Sequence, residues 1–199
     1  ARFGGYLVAD LMEGMSKIEQ TFKDYGLALK SNYALYFVGA VPVIRMALSD
    51  VKQFNQKIAS LEKLSNSKAK IKQSGQVKYR MYEFKTGENA GMALAIVNKW
   101  AIFTLDFGED KFNEFLPIAL GRTLPAKSLA NSGRVQAMIS KHKLHASSLG
   151  FINHKVIVES LFTDNNKLAQ SRKLLEDKDP KFKQQMTALR ESGCRKDIL

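Results

Sequence analysis

Cysteine is nearly absent. Cys194 stands alone in a chain of 199 residues. A single thiol cannot close an internal disulfide. It is a buried thiol, an exposed one, or half of a bridge whose partner lies outside this sequence. Arg195 and Lys196 beside it are neighbours of the kind that lower a thiol pKa. No histidine is near it in sequence, however, which argues against a Cys-His nucleophile. Histidine itself is scarce, with only His142, His145 and His154, and no carboxylate lies between them. HExxH and CxxC are missing, so neither a metal site nor a cofactor is expected.

Long apolar runs are also missing. Nothing approaches the roughly 18 residues that a spanning helix needs, so no transmembrane segment is expected. The opening ARFGGYLVADLMEG has no basic segment followed by an apolar core. No signal peptide is read in it, and a chain beginning at Ala is open to earlier trimming.

Catalytic motifs fare no better. GxSxG, GxGxxG and GxxxxGK[ST] do not occur. Ser-x-x-Lys occurs at Ser49/Lys52, Ser60/Lys63, Ser65/Lys68, Ser67/Lys70 and Ser140/Lys143, with Lys85-Thr86-Gly87 nearby. Such repetition reflects lysine content, and the Ser-x-Asn element of serine enzymes that bind penicillin is missing. Ser132-Gly133-Arg134 suits simple helix capping better than anion binding. Asp106, Glu109 and Asp110 cluster where a strand gives way to a helix, and acids favour a helix start. A hydrolase would need Asp106, Asp110 and a histidine in one pocket. No catalytic residue is assigned, and the expectation is a protein that is not an enzyme.

Acidic residues are the minority, 19 against 31 basic ones, for a net charge of +12. The excess is concentrated between Val51 and Lys85, which hold nine Lys/Arg and two acids. Lys52, Lys57, Lys63, Lys68, Lys70, Lys72, Lys78 and Arg80 are read as a basic face able to meet phosphates, an anionic envelope component or an acidic protein. A solvated lysine-rich face is the plain alternative. Lysine outnumbers arginine 23 to 8, whereas base and phosphate recognition leans on the bidentate guanidinium. Tyr33, Tyr36, Phe37, Tyr79 and Tyr82 could stack bases, or they could be strand core.

What the sequence does contain is a sheet. Gln76–Asp106 reads as a three-strand antiparallel meander. Val77, Tyr79 and Met81 alternate with Lys78 and Arg80, the period of a half-buried strand. The phase slips at Tyr82 and Phe84, which implies a bulge or a change of covering partner. Thr86–Gly91 suits a hairpin loop. Met92–Val97 and Trp100–Leu105 are apolar almost throughout, as in strands covered on both faces, with Asn98-Lys99 as the turn between them.

Before the meander the pattern predicts a helix over Asp10–Tyr25. Asp10 is its N-cap, Leu11, Met15, Ile18 and Phe22 form the stripe, and Gly26 is the stop. Strands follow at Tyr33–Val38 and Val41–Leu48, with Pro42 confined to an edge or to the first residues. Ser49 or Asp50 then caps a helix over about Val51–Leu64, and a short strand is read at Ala69–Lys72.

After the meander a helix opening at Gly108-Glu109-Asp110 is kinked or split by Pro117 and ends at Gly121. Helices are then expected from Ser132 to about Lys143, over His154–Phe162, from Asp164 or Asn165, and from Asp179-Pro180. A short strand is read within Ser147–Ile152. The fold class is α+β, with a mostly antiparallel sheet, helices packed around the meander and a helical C-terminal region. A single domain over 1–199 is expected, with room for a helical subdomain over 153–199.

YFVGAVPVIRMALSD, the meander with its AIFTLD ending, LGRTLPAKSLANSG and SLGFINHKVIVESLF resemble parts of uncharacterised bacterial cell-envelope proteins, a family of unknown function. The resemblance spans about Tyr33 to Ile198. It implies that this chain is a fragment of a larger, exported or lipid-anchored protein. It also implies that Cys194 pairs with a cysteine beyond Leu199, in an oxidising compartment. It carries no catalytic residue. The resulting expectation is a periplasmic or envelope domain that binds a protein or an envelope component. A cytoplasmic nucleic-acid-binding module is the alternative.

Overall fold

Strand-forming runs between 33 and 106 assemble into one antiparallel sheet of six strands: β1 (Tyr33–Val38), β2 (Val41–Ala47), β3 (Lys70–Ser74), β4 (Val77–Glu83), β5 (Gly91–Val97) and β6 (Trp100–Asp106). Their spatial order is β1-β2-β6-β5-β4-β3. The computed structural model describes residues 2–29, 33–39, 41–84, 90–106, 115–123, 131–143, 154–164 and 167–192. The fold is α+β, and the chain divides into two compact units, Ala1–Thr123 and Leu124–Leu199.

In the first unit β1 and β2 form a hairpin. The chain then crosses the sheet as α3 (Val51–Leu64) and returns as the meander β3-β4-β5-β6, whose last strand closes against β2. Asn98 and Lys99 both have positive φ, 48° and 63°, which is the twist that a two-residue hairpin demands. β4 pairs with β5 in unbroken register from Tyr79↔Ala95 to Glu83↔Gly91. The phase slip at Tyr82 is therefore a change of covering partner and not a bulge. Tyr82 stacks on Phe3 of α1 (Arg2–Glu13), with ring centroids 3.8 Å apart. Pro42 fits β2 because the ladder to β6 starts only at Ile44↔Phe103. The Pro42 carbonyl instead accepts a hydrogen bond from the Thr104 hydroxyl at 3.0 Å.

Both faces of the sheet's central strands are covered. On the first face, Phe54, Ile58 and Leu61 of α3 pack with Phe3 and Leu7 of α1 against Tyr82, Leu94, Ala101 and Phe103. Each α3 side chain contributes roughly 1.5–3 kcal/mol by leaving water. Asp50 caps α3, its carboxylate accepting from the Gln53 amide at 2.9 Å. On the second face, Leu116, Ala119 and Leu120, in and just after α4 (Phe115–Ala119), cover Val43, Tyr79, Met81, Ala93, Ala95 and Ile102.

The N-terminal helix departs from expectation. It begins at Arg2, and a 3-10 turn at Gly14–Lys17 separates it from α2 (Ile18–Asp24). That turn breaks the Leu11-Met15-Ile18-Phe22 stripe. Met15 and Ile18 are 63% and 52% exposed, while Phe3 and Leu7, upstream of the expected start, carry the burial. Asp10 lies inside α1 and caps nothing. Gly26, at φ +62°, does stop α2.

In the second unit α5 (Arg134–His142), α6 (His154–Phe162), α7 (Lys167–Lys178) and α8 (Pro180–Glu191) are described. Asp179 caps α8, accepting from the Lys181 and Phe182 amides. Buried Arg172 of α7 donates to the Ser160 carbonyl of α6 at 2.7 Å and to Glu176, which also accepts from Arg190 of α8. The sharing of one carboxylate by two guanidiniums satisfies a charge that would be costly unpaired. The region Ser147–Ile152, the hairpin at 85–89 and the helix opening at 107–114 lie outside the described residues.

Candidate functional site

Strand alternation decides where the eight basic residues go. Lys70 and Lys72 pair with Met81 and Tyr79, so they share the second face. Lys78 and Arg80 alternate with those positions and take the first face, where Arg80 meets Asn55 of α3. Lys52, Lys57 and Lys63 are on α3, and Lys68 is in the connection after it. The residues are therefore distributed over both sides of the sheet.

Four of the eight are engaged within the fold. Lys57 reaches Asp10 at 2.9 Å and lies 5.0 Å from the Tyr25 ring centroid. Lys70 pairs with Glu83 at 2.6 Å, and Lys72 with Asp106 at 3.4 Å. Arg80 donates to the Asn55 side-chain oxygen at 2.9 Å. Lys52, Lys63, Lys68 and Lys78 are exposed.

Three phenol–carboxylate pairs lie beneath this surface. Tyr25 donates to Asp10 at 2.7 Å, Tyr79 to Asp106 at 2.9 Å and Tyr82 to Glu62 at 2.7 Å. Burial, reinforced by the accepting carboxylate, raises all three phenols well above their ordinary range. Burial alone would raise Asp10. The hydrogen bonds from Lys57 and Tyr25 and the Lys57 charge outweigh it and hold that carboxyl below its usual range. These pairs tie α1 to Tyr25, β4 to β6, and β4 to α3. They hold Tyr79 and Tyr82 inside the protein, where neither can stack on a base.

The open surfaces are different in kind. On β1, Tyr33, Leu35 and Phe37 point to the first face, as does Ile44 opposite Leu35. They are 40%, 67%, 65% and 44% exposed. The Tyr33 hydroxyl donates to the Ala28 carbonyl, and its ring meets Phe22 edge-on at 5.4 Å. Tyr36, on the opposite face, is half-buried with the Arg45 guanidinium 5.7 Å from its ring centre. A separate cleft of about 510 Å³ opens beside α2 and the start of α3, lined by Glu19, Lys23, Leu27, Ser49 and Gln53 among others.

No family model matches the chain, and no curated protein or solved structure is significantly similar to it.

Among the described residues, no group of three or more His, Cys, Asp or Glu could hold a metal ion, and no helix is long and apolar enough to cross a membrane. Cys194, His145 and Asp110 lie outside the described residues. The Leu35–Phe37 surface has no counterpart among the residues singled out for their charge. Its sequence signal was a run, YALYFV, rich in strand formers and apolar at both phases, which marks a strand but not which of its faces is covered.

Proposed function

We propose that this chain is a non-enzymatic binding domain of a bacterial cell-envelope protein, and that its ligand is a protein held on the open sheet face at Tyr33, Leu35, Phe37 and Ile44. The observation that carries this reading is the 67% and 65% exposure of Leu35 and Phe37 on the outermost strand. Helices cover the middle of that face, Ile71 on the far edge is exposed singly, and contiguous apolar surface left in water is characteristic of interaction sites. The polar groups favour binding over chemistry. Asp10, Glu62 and Asp106 are occupied by tyrosine hydroxyls, and Lys57 and Lys72 by two of those same carboxylates. The exposed Lys68 and Lys78 lie at and beside the β3 edge, the far side of the sheet from this patch, so the ligand is held by apolar contact. The envelope setting rests on the segments that resemble envelope proteins.

A photo-crosslinking residue placed at Leu35, with a control at Lys63, tests this in the producing cell. The expected result is a protein adduct at position 35 that Phe37→Lys abolishes. An adduct at neither position overturns the reading. Retention of the purified chain on heparin, lost on Lys52→Ala/Lys63→Ala and steeply weakened by salt, would instead support the nucleic-acid alternative.

A further inference from the structure

The two edges of the sheet are built differently. β3, at one edge, presents Lys70 and Lys72. Lysines on an edge block strand-to-strand association, because a second copy would place like charges opposite each other. β1, at the other edge, reads Tyr-Ala-Leu-Tyr-Phe-Val and carries neither charge nor proline. Among the described residues no strand lies outside it.

We infer that β1 pairs with β1 of a second copy of this chain, antiparallel about a two-fold axis, to join the two six-stranded sheets. The inference rests on the reading of the β1–β2 face as a protein-binding surface and names its occupant. An axis normal to the sheet keeps the first face of both copies on one side, so only registers that match like faces close. Of these, two pair five of the six β1 residues: Leu35 opposite Leu35 of the second copy with Tyr33 opposite Phe37, or Leu35 opposite Phe37 with Tyr36 opposite Tyr36. Both set apolar side chains side by side across the new ladder.

Charge selects the same edge. Each chain carries +12, and two such chains repel. The uncharged strand is where they approach at least electrostatic cost. Arg45, level with Ala34 in the ladder, projects on the second face, toward α4. Area sets the strength. At roughly 150–250 Å² for a large side chain, the exposed fractions leave on the order of 300–500 Å² of apolar surface per copy. Two copies fall short of the roughly 1,200–2,000 Å² of a standard stable interface. The dimer is therefore concentration-dependent and not obligate.

Sedimentation equilibrium of the 199-residue chain between about 5 and 500 µM tests the pairing, a range suited to a weak interface. The mass is expected to rise from 22.3 kDa toward twice that value. Leu35→Lys and Phe37→Lys should each raise the dissociation constant at least about tenfold by setting a charge in the apolar seam of an edge strand. Ile71→Lys on the other edge should leave it unchanged. Hydrogen exchange on the unmodified chain keeps the test independent of variant folding. Amides of Tyr33–Val38 should gain protection with concentration, and those of Lys70–Ser74 should not. A mass of 22.3 kDa throughout, or protection that grows on β3 instead, overturns the pairing. A monomer that still cross-links through position 35 to another protein overturns self-pairing alone. A monomer with no adduct overturns the binding reading as well.

Discussion

The Tyr79 hydroxyl, on β4, donates to Asp106, on β6, at 2.9 Å, across the whole width of β5. The ring can pass over β5 because Ala93 and Ala95 present only methyl groups there, both fully buried. Lys72 meets the same Asp106 oxygen from β3, so one carboxylate draws on side chains from two other strands. Tyr79→Phe removes a donor from a buried carboxylate while keeping the ring. It should destabilise the fold by about 1–3 kcal/mol. Ala95→Leu should cost a comparable amount by overpacking the ring's path. Urea unfolding followed by circular dichroism measures both, and a change below about 0.5 kcal/mol for Tyr79→Phe, the range of ordinary surface substitutions, would mean the bond contributes nothing net.

Tyr25, Tyr79 and Tyr82 share a pH signature. Their phenols are raised in the folded chain, so above the unfolded phenol pKa of about 10 the folded state holds protons that the unfolded state has released. Stability from these groups is complete below that pH and falls as pH rises through it, by up to about 1.4 kcal/mol per pH unit for each phenol. Absorbance at 295 nm should show these three phenols ionising together with the loss of circular dichroism. Replacing any of the three by Phe should remove amplitude from that late, cooperative step. Amplitude lost from an earlier, reversible step would contradict the pairing.

Much of the fold was legible because its signals are local. The YALYFV run gave the bounds of β1, and the helix read over Val51–Leu64 with Ser49 or Asp50 as its cap is α3, which Asp50 caps. Asp10 was misread because its role is tertiary. Its partners Tyr25 and Lys57 stand 15 and 47 residues away, and no local pattern distinguishes a carboxylate held at such range from a helix cap. The helix stripe failed for a related reason, since its period was sound but a 3-10 turn rotated its members out of phase. The openness of β1 was not legible either. An all-apolar strand looks the same whether helices cover both faces, as on β5, or only one, as on β1.

Asp10 supplies an acid-side counterpart to the tyrosines. Its carboxyl is held below the usual range, so the unfolded state binds a proton first as pH falls. Stability from this group is complete above the unfolded carboxyl pKa of about 3.9 and is lost as pH drops through the folded value. Lys57→Met removes one donor and one charge from the pair. It should move the acid-unfolding midpoint of the first unit upward and cost about 0.5–1 kcal/mol at neutral pH, modest because the pair is partly exposed. In a chain that already carries Asp10→Asn, the same Lys57→Met change should leave the acid midpoint where it was. An acid midpoint unchanged by Lys57→Met alone would detach Asp10 from α3.

The turn between β5 and β6 offers a gain instead of a loss. Asn98 and Lys99 both occupy the left-handed region, which Asn tolerates and Lys does not favour, by about 1–2 kcal/mol for a residue with a Cβ. Glycine at the second position removes that strain but adds unfolded-state freedom worth about 0.5–1 kcal/mol. The balance favours Lys99→Gly by roughly 0.5 kcal/mol, since Asn-Gly is the preferred pair in this turn. The Lys99 carbonyl that accepts from the Leu48 amide at 2.8 Å is backbone and survives the change. Thermal unfolding should shift upward by a few degrees. A downward shift would show that the lysine side chain stabilises the turn through a contact of its own, and Lys99→Ala, which lacks both the side chain and the glycine freedom, would then fall further still.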